Sequence, residues 1–167
     1  ELNGPIQSRT DVDYLVGLLR GPLSHVRSRD AVDFLVKVQT EAFWCGEDAP
    51  HVDMAAIGRL TSEHQNAYAV KRIRASALRA IGESGTEYAI EVLATGEDIE
   101  LQGSLLEGAF RDAVRRHLGI WTYPEMYGWE MPEETLAQIQ EIYSKYGKTY
   151  EPVTPPEGYE RLSPPHF

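Results

Sequence analysis

A short apolar block recurs at the same place in three successive helical hairpins: Val16-Gly17-Leu18-Leu19, Ile57-Gly58-Arg59-Leu60 and Ile90-Glu91-Val92-Leu93. The spacing is about 41 and then about 33 residues, in the range where self-similarity marks stacked supersecondary units. One such hairpin cannot bury its apolar side alone, so each must pack on its neighbours. A chain built this way is expected to be all-α and to fold as a single unit over 1–167.

The apolar residues are spaced accordingly. Val12, Leu15, Val16 and Leu19 recur at i, i+3, i+4 and i+7 and predict a first helix from about Asp11 to Arg20, stopped by Gly21-Pro22. Its partner is expected from about Ser28 to Phe43, on the stripe Ala31, Val32, Leu35, Val38 and Ala42. A second pair follows, from about His51 to Leu60 and from about Ala67 to Ile81, with Gly82 placed to end it. The third runs from Glu87 to Ala94 and from about Leu101 to Leu118, with Gly119 as its stop.

The segment Ile73-Arg74-Ala75-Ser76-Ala77-Leu78-Arg79-Ala80-Ile81-Gly82-Glu83-Ser84-Gly85 is similar to a HEAT-like repeat of the bacterial type, in which Arg is often followed by Ala-Leu-x-Ala-Leu-Gly. The resemblance covers roughly 52–118 and is weaker over 10–44. It implies a short right-handed stack of antiparallel helix pairs, a HEAT-like α-solenoid, with helix pairs over 10–119.

Beyond Gly119 the pattern changes. Trp121, Tyr123, Pro124, Met126, Tyr127, Trp129 and Met131 are too aromatic and too interrupted for a continuous helix, and read as a packed connection. Pro132-Glu133-Glu134 opens one more helix, to about Tyr146, with Pro in the first turn and acids at the positive end of the helix dipole. The region 120–148 is thus expected to cap the stack. Five prolines between 149 and 167 predict an extended tail.

Arg72 and Arg79 lie seven residues apart on one helix, and Arg111 and Arg115 lie four apart on the corresponding helix of the next pair. If second helices line a concave face, as the resemblance implies, these four form one basic patch for an acidic peptide or a phosphate, since guanidinium groups bind such anions through paired donors. The ordinary alternative is a set of surface ion pairs, because Glu107 precedes Arg111 and Asp112 precedes Arg116 by four residues. Trp121 and Trp129 are candidate contact residues by virtue of their large, stiff side chains, with sealing of the last apolar face as the alternative.

Catalytic signatures are missing from the sequence. His25, His51, His64, His117 and His166 are scattered, and none has the i, i+4 spacing that places two metal ligands on one helical face. HEAT-like di-iron hydroxylases carry repeated His-Glu pairs, whereas this chain has one reversed Glu63-His64. Cys45 stands alone, without a nucleophile signature and without a disulfide partner. The acid pairs Glu97-Asp98 and Glu133-Glu134 fit helix flanks, and Gly82-Glu83-Ser84-Gly85 lacks the Gly-Lys-Ser/Thr ending of a phosphate loop. No enzyme, cofactor or metal is expected.

A net charge of −10 opposes general affinity for nucleic acid or anionic membrane, and no apolar run approaches the roughly 20 residues of a membrane span. The chain starts at Glu1 and has one cysteine, so cytoplasmic and exported placements both remain open. The leading expectation is a non-catalytic scaffold that binds another protein or peptide. Two other readings follow from the resemblance: a DNA-repair type that grips a duplex with basic second helices, and a lyase-type chaperone for a pigment or cofactor held near Trp121.

Overall fold

The computed structural model describes residues 9–45, 63–121 and 131–152. Those residues are helical and contain no strand. The first helix, α1 (Arg9–Arg20), ends at Gly21, and Pro22–His25 form a 3₁₀ turn in which the buried Ser24 hydroxyl donates to the carbonyls of Arg20 and Gly21. Helix α2 (Arg29–Gln39) starts where the Ser28 side chain accepts from the Ala31 amide at 3.2 Å, a side-chain cap on a first-turn donor.

The second expected helix does not run unbroken to Phe43. Thr40 is extended, with ψ 152°, and a short turn of helix, α3 (Ala42–Cys45), follows. Contacts made by the ends explain the break. The Val38 carbonyl accepts from the Trp44 indole at 2.8 Å, and the Glu41 amide donates to the Glu100 carboxylate at 2.9 Å, so groups that a continuous helix would pair are satisfied from outside it.

Helix α4 (Glu63–Ser84) is the longest, at 22 residues, and would span about 33 Å. The sequence pattern predicts one apolar stripe, yet every residue from Ile73 to Leu78 is buried. Neighbours on several sides account for this, since α4 packs against α1, α2 and two helices that follow it, α5 (Glu87–Thr95) and α6 (Ser104–His117). Ala75, Ala77 and Ala80 allow close approach where larger side chains would hold the neighbours away.

Gly82 does not terminate α4. It lies within the helix where α4 crosses α6, and a β-carbon there would come within 2.1 Å of the Ala113 carbonyl oxygen. The residue that leaves the helix is Gly85, whose φ of +61° favours glycine. The ends expected at Gly119 and just past Tyr146 do carry left-handed backbones, at Gly119 and Gly147 with φ of +76° and +64°.

Helix α7 (Glu133–Lys145) lies against α5 and α6. Phe110 on α6 meets Tyr143 and Tyr146 with ring centroids 5.3 and 4.5 Å apart, and Tyr150 beyond the helix packs edge-on to Tyr143. Residues 148–150 are strapped to α7 by Gln140, whose Oε1 accepts from the Tyr150 amide at 3.0 Å and whose Nε2 donates to the Lys148 carbonyl. The start of the expected tail is therefore draped on the body.

Buried residues from Val12 to Tyr150 form one core cluster. The expected helix from His51 to Leu60, the aromatics Tyr123, Tyr127 and Trp129, the Cys45 side chain and the tail beyond Pro152 lie outside the described residues. Among the described residues no helix is long and apolar enough to cross a membrane.

Candidate functional site

Arg72, Arg79, Arg111 and Arg115 each have a separate environment. Arg72 pairs with Asp13 of α1 at 3.1 Å. Arg79 Nε donates to Asp112 of α6 at 2.7 Å, and Arg116 pairs with Glu83, so ion pairs lace α4 to α6. Asp112 thus takes an interhelical partner in addition to whatever its i+4 spacing offers. Arg115 is only 2% exposed and donates through Nη1 to the Tyr150 hydroxyl at 2.6 Å. A guanidinium buried in this way cannot present itself at a surface, which corrects its expected place in an exposed patch.

Glu107, expected to pair with Arg111 along α6, instead accepts from Lys148 Nζ at 2.6 Å. Arg111 Nε is left buried without a hydrogen-bond partner, and the same is true of the Tyr143 hydroxyl. Burial pushes that hydroxyl up to about 12, against the opposing pull of Arg111 beside it and of Arg115. The residues Arg111 and Tyr143 line a cavity of about 290 Å³ whose walls also include Leu101, Phe110, Lys148 and Glu151, while the two unpaired atoms themselves are closed off from it.

Trp121 is 63% exposed, so it does not seal the core. Its ring lies 5.7 Å from the Arg116 guanidinium, a cation–π distance. Its expected companion, Trp129, falls outside the described residues.

A larger concavity of about 530 Å³ lies between α2 and α5. Tyr88 stands on its wall, with its hydroxyl donated to Asp33 and its ring under the Arg29 guanidinium at 4.3 Å. The Asp33 carboxylate that accepts this hydrogen bond raises the pKa of the Tyr88 hydroxyl above its ordinary value. Asp33, Glu91, Glu97 and Asp98 face only Arg29 and Lys37 in this groove, so its surface is net acidic. Val36 and Val92 supply apolar ground between the charges.

One end of this groove is tied together from beneath. The buried Gln39 side chain donates to the Asp98 carbonyl and accepts from the Glu100 amide, completing a peptide-like pair with a loop about sixty residues away. Arg74, also buried, donates to the Gln39 carbonyl at 2.7 Å and pairs with Glu100. Sequence spacing gave no sign that Tyr88 would meet Asp33, 55 positions earlier.

Among the described residues no group of three or more His, Cys, Asp or Glu is arranged to hold a metal ion. The groove carboxylates Glu91, Glu97 and Asp98 are exposed. The arrangement can offer hydrogen bonds, charge and apolar contact to a docked chain. No family model matches this chain, and neither a curated protein nor a solved structure is significantly similar to it.

Proposed function

We propose that the chain is a non-catalytic protein-interaction module, a stack of HEAT-like helix pairs whose groove between α2 and α5 receives an extended segment carrying basic side chains. The observation that carries this reading is the groove itself: four acidic side chains against two basic ones around an apolar strip of Val36 and Val92. Extended segments alternate their side chains, so lysines can face the acids while intervening residues contact the apolar strip. The net charge of −10 supports it as well, because a negative field speeds the approach of a basic partner. The stacked arrangement draws support from the order of packing, with α2, α4 and α6 in successive contact.

The test is titration of a labelled octapeptide of alternating lysine and alanine, followed by fluorescence anisotropy at low and at physiological salt. Saturable binding that weakens with salt, and that falls at least about tenfold in an Asp33→Asn, Glu91→Gln, Glu97→Gln variant, is the expected result. Equal binding of an alternating glutamate–alanine peptide, or indifference to the three substitutions, overturns the assignment.

A further inference from the structure

We propose that Tyr88, Asp33 and Glu91 form an arginine-selective subsite at the end of the α2–α5 groove away from Gln39, and that the chain's own Arg29 fills it until a partner's guanidinium takes its place. The proposal rests on the reading of that groove as the seat of a basic segment, and names the basic residue it prefers.

The inference starts from an internal cation. Arg29 is exposed, yet its guanidinium lies over the Tyr88 ring, 4.3 Å from the centroid, and Tyr88 is part of the groove wall. The face of an aromatic ring attracts a cation, and the flat guanidinium stacks on it where an ammonium cannot. The Tyr88 hydroxyl donates to Asp33 Oδ1, which fixes the ring's orientation and sets an acid at its edge. Glu91 follows Tyr88 by three residues on α5, a spacing that puts its exposed carboxylate on the same face of the helix. An aromatic surface flanked by two carboxylates suits a guanidinium in every respect: the ring takes its plane, and the acids take the donors that fan out within it.

Arg29 holds this place weakly. It is the first residue of α2, where the unpaired amides of the first turn carry partial positive charge and disfavour a cation. An exposed cation–π contact favours the docked side chain by a factor of only about two to five. Its side chain is exposed, so it can turn into water without disturbing the core. Leaving also takes one of two positive charges out of the groove and keeps only Lys37 against the four acids. A lysine gains less from the exchange, because its ammonium is a strongly hydrated point charge with no flat face to stack. It pairs with the exposed Glu97 and Asp98 instead and leaves Arg29 where it is.

The test compares two labelled octapeptides on the full chain by fluorescence anisotropy, one alternating arginine with alanine and the other lysine with alanine. The arginine peptide is expected to bind about threefold tighter to the parent, and about tenfold tighter to Arg29→Ala, where no internal cation competes. Lys37→Ala removes the same charge from the groove and is the control: it should tighten both peptides alike and leave their ratio unchanged. Tyr88→Leu is expected to abolish the preference and Tyr88→Phe, which keeps the ring, to retain it. Arg29 lies on the surface, so its variant keeps the proposal testable even if Tyr88→Leu fails to fold. Equal binding of the two peptides to the parent and to Arg29→Ala overturns the subsite and leaves the basic-segment reading standing. A ratio that changes equally in Arg29→Ala and Lys37→Ala overturns it too, since charge alone then accounts for the effect. Binding of neither peptide overturns both readings together.

Discussion

The two faces of α6 show contrasting ways to join helices. Toward α4 it meets backbone at Gly82 and Ala113, so close that a methyl group would overlap the carbonyl. Toward α7 it meets rings, with Phe110 among Tyr143 and Tyr146 and a cavity beside them. Backbone contact fixes a distance and leaves no slack. Aromatic contact supplies more buried area, but large stiff rings fill space imperfectly, and here they leave a cavity near two buried, unpaired polar atoms.

The largest expected effect removes the ring at the centre of the looser interface. Phe110→Ala should cost about 4 kcal/mol in urea unfolding, the usual magnitude for deleting a buried aromatic side chain. Gly82→Ala tests the tighter face and should cost about 3 kcal/mol, because the obstacle is Ala113 backbone, which cannot rotate aside. A cost below about 1 kcal/mol would mean that the two helices can slide apart and that the contrast drawn between the faces is false.

The two tyrosines of α7 sharpen the comparison, since they should respond with opposite sign. Tyr146 donates its hydroxyl to the Leu93 carbonyl of α5, so Tyr146→Phe should cost about 1 kcal/mol. Tyr143→Phe removes a buried hydroxyl that has no partner and should stabilise the protein by about 1 kcal/mol in the same titration. A loss of stability in Tyr143→Phe would show that the hydroxyl is paired after all.

The smallest effects concern pH. Burial raises both hydroxyls, Tyr143 to about 12 and Tyr146 further, so the unfolded chain releases these protons before the folded one does. Their contribution is present below pH 10 and is lost as pH rises toward 12, and the alkaline slope of stability should be shallower in Tyr143→Phe. His117 runs the other way: burial lowers it, overriding its place at the negative end of α6, so stability is expected to fall as pH drops below about 6.5. A pH titration of His117→Gln should show a flatter acid limb.

Helical periodicity was legible because it depends on local spacing. The extents of α1, α5, α6 and α7 follow from their apolar stripes and glycine stops to within a few residues. Gly82 was misread because its local setting, after an apolar run and before a turn, is that of a stop, while the reason for glycine is Ala113 on another helix. The arginines fared the same way. Seven- and four-residue spacings place side chains along one helix, but Asp13, Asp112 and Tyr150, which engage three of the four, come from elements whose approach no spacing encodes. The missing partner for the Tyr143 hydroxyl had no sequence signal either.

The amide of Gln39 has a consequence in time. It joins positions 59 and 61 residues apart, a closure whose entropic cost must be met before the contact rewards it. The wall of the α2–α5 groove carrying Glu97 and Asp98 is thus held by a contact that local structure alone cannot supply. Any ligand of that groove selects the finished fold and, at a hundred times its dissociation constant, adds about 2.7 kcal/mol to it. A rise in melting temperature can thus report occupancy of the groove without any label on the partner.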